Sequence, residues 1–297
     1  MSKHIHMAGI IPIANYEDTF NVPYPWFLLP VDQGFAMIQK SVFECALAGC
    51  QTIWIVANDD IAPIIKKVIG DWTYDPVYYF RKEKHYKDKR REIPIYYVPI
   101  HPKDRERRDS YGWSALFGMH SAWYVASRLS KWLVPEKYYI SFPHSAFNIY
   151  SLRAMRSDIL HHQNNFFLSF EGETVKDNRF LPFTMFGEDF KACRRYVNSE
   201  TTKTFYNTEE GEKYPSKKLP VNERWSARKF DIKTVFSQVS EKNCKIHEIQ
   251  WFWDVGDWDG YRQYMASENF IQKPSNSLTT AHKHNIICNS QEGDFNE

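Results

Sequence analysis

Apolar positions along the first seventy residues switch between two periods. Residues 5–14 are apolar and rich in β-branched side chains, the pattern of a buried strand. Phe35, Ile38, Val42, Phe43, Ala46 and Leu47 then fall at helical spacing and predict a helix over 35–48. Gly49 follows, where a helix often ends in a glycine cap. Residues 52–56 read TIWIV, a short continuous run that fits a strand buried on both faces. Asn58, Asp59 and Asp60 predict the cap of a second helix through Val68, closed by Gly70. The order strand, helix, strand, helix implies parallel strands joined by right-handed crossovers.

The pattern then repeats with decoration. Strands are predicted over 93–100, 138–142 and 166–170, and helices over 113–129, 152–160 and 188–197. Residues 199–218 are polar and read as a surface loop. A helix over 230–239, a strand over 246–253 and a closing helix over 259–266 complete the series. The fold class is α/β: a Rossmann-like, mostly parallel sheet flanked by helices. One domain is expected over 1–272, followed by a polar tail over 273–297.

Composition narrows the function classes. With 297 residues, 43% of them hydrophobic, the chain can bury one large core or two modest ones. Only 12 residues are glycine, which argues against several phosphate-cradling loops. A net charge of +2 makes the molecule no polycation, so bulk charge predicts no nucleic-acid partner. The five cysteines are odd in number and show no C-x-x-C spacing. They argue against a disulfide framework or zinc site and for a reducing, cytoplasmic location. Cys45 and Cys50 read as small core residues. The opening MSKHIHMAG shows no signal-peptide pattern, and no apolar run reaches a membrane span, so no membrane partner is expected.

Residues 81–91, RKEKHYKDKRR, form the loudest charge feature, with a second cluster over 103–108. Such runs can grip phosphates of a nucleotide, RNA or a partner, but interspersed acids favour a solvated loop. His4 and His6 lie at strand spacing on one face, too few for a metal without a third ligand. P-loop, dinucleotide, nucleophile-elbow and zincin patterns are absent. Near the end, WFWDVGDWDGY places Asp254, Asp257 and Asp259 where a strand turns into a helix. Ligands of open α/β sheets bind at that edge, so these carboxylates could hold Mg²⁺ on a nucleotide. Alternatively Asp257 or Asp259 caps the helix, with Asp259 favoured, and Asp254 only turns the chain.

The order of landmarks resembles the sugar-1-phosphate nucleotidyltransferases. MAGIIP at 7–12, FLLPV at 27–31, Ala48-Gly49 and the strand into Asn58 are similar to that family's opening. SYGWSA at 110–115 resembles its glycine-then-helix segment, YYISFPHS at 138–145 its strand ending in L-G-D-N, and WDVG at 253–256 its W-x-D-x-G motif. The resemblance spans residues 5–266 and implies a nucleotide-diphospho-sugar transferase-like fold. It assigns catalytic and Mg²⁺-binding roles to Asp254 and His144, and nucleotide contacts to Gly9, Gly112 and Ser114. Arg107 and Arg108 stand where they could supply phosphate charge.

The departures from the family fall on its charge-handling positions. Ile10 replaces the second glycine, and Pro12-Ile13-Ala14 follows where Gly-Thr-Arg belongs. Trp26 matches the lysine before L-L-P, and His144 matches the metal-binding aspartate. The glycines let N–H groups close around a triphosphate while Arg and Lys neutralise its charge. Proline removes a donor outright. The expectation is a nucleotidyltransferase-like protein with reduced or lost standard activity, taking a nucleotide or sugar phosphate if active. The alternative is a non-catalytic subunit with protein partners in a larger assembly, such as a viral particle. Nucleic-acid binding through 81–91 ranks third.

Overall fold

The computed structural model describes residues 5–14, 20–79, 92–100, 110–202, 218 and 230–274. Eight strands form the main sheet. Their spatial order is β11 (Lys245–Glu248), β9 (Phe166–Ser169), β10 (Phe183–Phe186), β7 (Lys137–Ile140), β1 (Met7–Pro12), β4 (Thr52–Ala57), β6 (Glu92–Pro99) and β5 (Trp72–Tyr74). β7, β1, β4 and β6 run parallel, as do β9 and β11. β10 runs antiparallel between β7 and β9, and β5 lies antiparallel on β6. The predicted mostly parallel sheet is therefore observed, with two antiparallel members that weak local patterns did not announce.

Pleating sorts the central strands into two cores. Met7 and Ile11 of β1, Ile53 and Ile55 of β4 and Tyr139 of β7 face one side. Ala8, Ile10, Trp54, Val56, Tyr138 and Ile140 face the other. Successive side chains of a strand point to opposite faces, so a strand covered on both must be apolar throughout. α1 (Met37–Ala48) and α5 (Leu152–His161) pack together over the first face. α4 (Tyr111–Leu129), α6 (Gly187–Thr202) and the single turn α7 (Ile232–Val235) cover the second. α1 ends as expected: Gly49 takes a left-handed φ of 100°, and a Cβ there would meet Leu160 Cδ1 at 2.7 Å. β2 (Pro30–Asp32) and β3 (Phe35–Ala36) pair antiparallel outside the main sheet, and α2 (Ala62–Ile69), α3 (Pro76–Tyr79) and α8 (Trp258–Ala266) complete the α-helices of the described residues.

Three local expectations are corrected. The predicted Asn58–Asp60 cap does not form; Ile61 holds the N-cap position of α2, and the Asn58 carbonyl accepts from Ile61 and Ala62 N–H at 3.1 and 2.9 Å. The single strand predicted over 246–253 is two strands. β11 closes its ladder where Ile249 N–H donates to Ser169 O, and the chain then leaves the main sheet. It re-forms as β12 (Phe252–Asp254), paired antiparallel with β8 (Ser145–Phe147). Residues 199–202, predicted as the start of a loop, belong instead to α6, which continues through Thr202. Beyond it only Lys218 is described before 230. The basic runs at 81–91 and 103–108, His4, and the tail from 275 onward also lie outside the described residues.

Cys45 and Cys50 are buried free thiols, matching their reading as core residues, and Cys193 is a buried free thiol as well. No helix among the described residues is long and apolar enough to cross a membrane.

Lys137, at the start of β7, is buried and donates to Ile159 O at 2.7 Å and His162 O at 3.2 Å. It thereby satisfies carbonyls at the C-terminal end of α5, where a cation is favoured by the helix dipole. Burial nevertheless lowers its pKa to about 8. Below that pH both folded and unfolded chains hold the proton. Above it the folded lysine has released its proton while the unfolded one keeps it to about pH 10.4, so stability from this group rises with pH. The stability of wild type relative to Lys137→Met should therefore increase between about pH 8 and 10, by up to about 1.4 kcal/mol per pH unit. Urea unfolding of both proteins across that range checks the slope.

Candidate functional site

Parallel sheets bind ligands beyond the carboxyl ends of their strands, here above β1, β4 and β7. The short β8–β12 pair carries the distant C-terminal segment to this edge. It sets Asp254 opposite Ser145, and Val255 N–H donates to His144 O at 2.8 Å. A Cβ on Gly256 would stand 3.1 Å from Asp254 Oδ1 and 3.6 Å from His144 Cδ2. The fold thus brings together His144 and Asp254, residues 110 positions apart in sequence.

The two groups sit in opposite environments. Asp254 is exposed, and its Oδ1 accepts from Gly256 N–H at 3.0 Å, so it turns the chain whatever else it does. His144 is only 2% exposed. Its ring lies 4.4 Å from Phe180, 5.0 Å from Tyr111, 5.7 Å from Trp26 and 6.0 Å from Phe142, measured between centroids. Burial lowers the pKa of this imidazole, against the opposing pull of Asp254, and the Lys40 ammonium lowers it further. His144 is held neutral, and its Nδ1 has no hydrogen-bond partner among the described residues.

Mg²⁺ demands near-octahedral oxygen ligands and usually one or two carboxylates. The pair offers one exposed carboxylate and one imidazole boxed in by aromatic rings. No cluster of three His, Cys, Asp or Glu suited to a metal occurs among the described residues. This donor set does not fit Mg²⁺, because it offers a single carboxylate and its second member, imidazole, suits softer ions.

Beneath the 142–145 turn lies a buried charge network. Lys40 and Glu44 of α1 are both completely buried, one helical turn apart, with Nζ to Oε2 at 3.1 Å. The same ammonium donates to Ser145 O at 2.7 Å and Phe142 O at 3.1 Å. Its three protons are therefore committed, and none remains for a phosphate. Tyr139 O–H donates to Glu44 Oε1 at 2.9 Å from the neighbouring strand. Burial lowers the lysine pKa and raises the glutamate pKa, each partly offset by the other. These residues escaped the sequence reading. The available signal was a Lys-x-x-x-Glu pair inside a helix whose other positions are mostly apolar.

The nucleotide-binding candidates divide. Gly9 lies inside β1, paired with Tyr139 and Ile53, not in a loop. A Cβ on it would meet Cys45 Sγ at 2.8 Å and Cys50 Sγ at 3.1 Å, so helix-to-strand packing accounts for the glycine. Gly112 is buried in the first turn of α4, where a Cβ would meet the Val235 side chain at 2.7 Å. Ser114 is buried in the same turn, its N–H donating to Ser110 O at 3.0 Å. Arg107 and Arg108 lie outside the described residues. Asp257, not Asp259, caps α8: its Oδ1 accepts from Gly260 N–H at 2.8 Å, while exposed Asp259 pairs with Arg262 at 2.8 Å. The favoured Asp259 cap is thereby corrected, because Asp257 alone has the extended backbone an N-cap requires.

The edge beyond β1 is packed with side chains. Ile13 and Ala14 are buried, and Ile13 N–H is committed to Val56 O at 2.9 Å. Trp26 is 1% exposed and shares an apolar cluster with Ile13, Phe20 and Phe27. Its ring stacks on Phe20 at 6.0 Å, and Phe20 meets Trp258 of α8 edge-on at 5.2 Å.

No family model matches the sequence, and no curated protein matches it. Solved structures do match in fold. A structure designated glucose-1-phosphate thymidylyltransferase from Bacillus anthracis, in complex with sucrose, superposes with a TM-score of 0.53 at 10% identity. That match covers 90% of this chain and 98% of the other. A UDP-glucose pyrophosphorylase complexed with UDP-glucose matches with a TM-score of 0.50 at 12% identity, over 88% and 97% of the two chains. At these identities the likeness is one of fold, and it agrees with the fold implied by the sequence landmarks.

Proposed function

We propose that this chain is a nucleotidyltransferase-like protein, related in fold to the sugar-phosphate nucleotidyltransferases, in which standard nucleotidyl transfer is reduced or lost. The observation that carries this reading is the contact of Trp26 with His144. By position these two stand where the resembled family has a phosphate-neutralising lysine and a metal-binding aspartate. Here they are buried against each other at 5.7 Å in an aromatic cluster. A charged triphosphate and its Mg²⁺ meet rings where fixed charges and N–H donors are required, and removing even one such group costs about 10²–10³ in rate. A nucleotide or sugar phosphate remains the ligand class, with exposed Asp254 placed to accept from its sugar hydroxyls and not to hold its phosphate.

The purified chain, supplied with UTP or dTTP, Mg²⁺ and glucose 1-phosphate, is expected to release pyrophosphate at least about 10³-fold more slowly than an ordinary enzyme turning over at 1–10³ per second. Turnover within that ordinary range would overturn the proposal.

A second reading, a non-catalytic subunit of a larger assembly, draws on the outer face of α4. Tyr124, Val125 and Leu129 are exposed there, Leu129 to 70%, with exposed Leu133 just beyond. Contiguous apolar surface of this kind marks contact sites. Analytical ultracentrifugation should then show self-association that Leu129→Lys abolishes; a monomer at every concentration, with no partner retained, removes this reading.

A further inference from the structure

Helices α4 and α6 pack together over the second face of the sheet, and a ladder of rings and guanidinium groups crosses their outer surface. Arg194 of α6 donates to His120 Nδ1 of α4 at 2.7 Å. The His120 ring lies 6.0 Å from Trp123 and 6.1 Å from Tyr124, centroid to centroid. Arg128 sets its guanidinium 5.3 Å from the centre of the Tyr124 ring. His120, Tyr124 and Arg128 follow one another at four-residue steps and so form one ridge of the helix. Trp123 and Tyr124 are 39% and 48% exposed. Burial and the Arg194 charge lower the His120 pKa, so the imidazole is neutral at pH 7 and the fixed charges of the ladder are its two guanidiniums.

The charge around the ladder has one sign. Residues 111–135 and 190–199 contain no Asp or Glu. Lys131 follows α4, and Lys191 and Arg195 share α6 with Arg194; all three are exposed. A solvated face ordinarily mixes both signs. The dipole of α4 accounts for a cation in its last turn, Arg128, but not for three in the middle of α6, whose last turn holds no basic residue.

We propose that this ridge binds single-stranded nucleic acid, RNA or DNA, without sequence preference. Guanidinium groups take phosphate oxygens through paired N–H bonds. Exposed rings stack on bases, and every base has a ring face to offer. An acidic peptide would use the cations but gain nothing from three rings held in a row. A second copy docked on the same ridge would set cation against cation. Val125 and Leu129 point about 120° away around the helix, so the contact face read above is a different one. Glu136, Glu188 and Asp189 line the cleft beside Trp123 and Lys191, which keeps a polyanion on the ridge and out of that cleft. Tyr111, which meets His144, lies about 14 Å back along α4, so the ridge is also separate from the His144–Asp254 corner.

Fluorescence anisotropy of the full chain with labelled oligo-uridine and oligo-thymidine, each about 20 nucleotides, tests the assignment at low salt. Saturable binding with a Kd of about 1–100 µM is expected for at least one of them, and which one binds tells RNA from DNA. The log–log slope against salt should lie near −2 to −3.5, about −0.7 for each of three to five phosphates held. Arg128→Gln combined with Arg195→Gln, at two exposed positions, should weaken binding about tenfold and leave the thermal midpoint unchanged. Tyr124→Ala should also weaken it about tenfold. Polyglutamate of equal length has the charge without the bases and should compete at least about tenfold less well. The proposal is overturned if neither oligonucleotide saturates below about 100 µM. It is equally overturned if polyglutamate competes as well and Tyr124→Ala has no effect, which would make an acidic protein the partner. Binding by the arginine variant like that of the wild type, as when the basic run at 81–91 alone carries the affinity, overturns it too.

Discussion

Lys40→Met is expected to lower the unfolding free energy by about 3–5 kcal/mol, the usual cost of leaving one member of a buried ion pair alone. Three losses coincide. Glu44, completely buried, keeps the Tyr139 hydroxyl as a donor but must take up a proton or remain an uncompensated charge. The carbonyls of Phe142 and Ser145 lose their shared donor. The turn carrying His144 loses the bonds that pin it to α1. Urea denaturation at pH 7 measures the first effect. A Lys40→Met, Glu44→Leu double variant separates the rest. Replacing a whole buried pair by apolar groups is often near neutral. The two orphaned carbonyls are still each worth about 1–3 kcal/mol, so recovery should be partial. Full recovery would mean the lysine serves the glutamate alone; no loss in the single variant would remove the clamp from the account.

Trp26→Ala should cost a comparable amount, about 3–5 kcal/mol, as a buried aromatic truncated in a packed core. Trp26 touches Phe20, Phe27 and His144, rings contributed by two distant segments, so little local collapse can refill the space. The functional outcome is the sharper one. Opening this volume restores neither a lysine nor the glycine-lined loop, since Ile10 and Pro12 remain. Isothermal titration of Trp26→Ala, and of Trp26→Lys, with UTP and Mg²⁺ should therefore show no gain in heat over the wild type. A clear gain with the lysine variant would show that the site is blocked by one side chain and otherwise intact.

Much of the scaffold was legible because its signals are local. The TIWIV strand, the helix ending at Gly49 and the long α4 each carry their own periodicity, and each lies where the spacing placed it. β10 was missed because four residues, FTMF, with a buried threonine show no clear period. The 246–253 segment reads as one apolar run, yet its two halves join different sheets; only the partners β9 and β8 reveal the break. Gly9 and Gly112 look alike in sequence to ligand-facing glycines. Their neighbours, Cys45 and Val235, come from distant turns of chain, and those contacts explain them as packing positions.

The site divides along the same line. That Ile10, Pro12, Trp26 and His144 depart from a phosphate-handling pattern is written in the residues themselves, because charge and donor count are properties of side-chain type. Sequence alone therefore determined the α/β scaffold and the uncharged residues at positions where the resembled family carries charge. It did not determine that Trp26 and His144 meet, or that Lys40 spends all its protons beneath the same turn. Those facts depend on which distant groups share a buried volume, where few waters remain to satisfy a charge or an amide, and only the packed chain decides that.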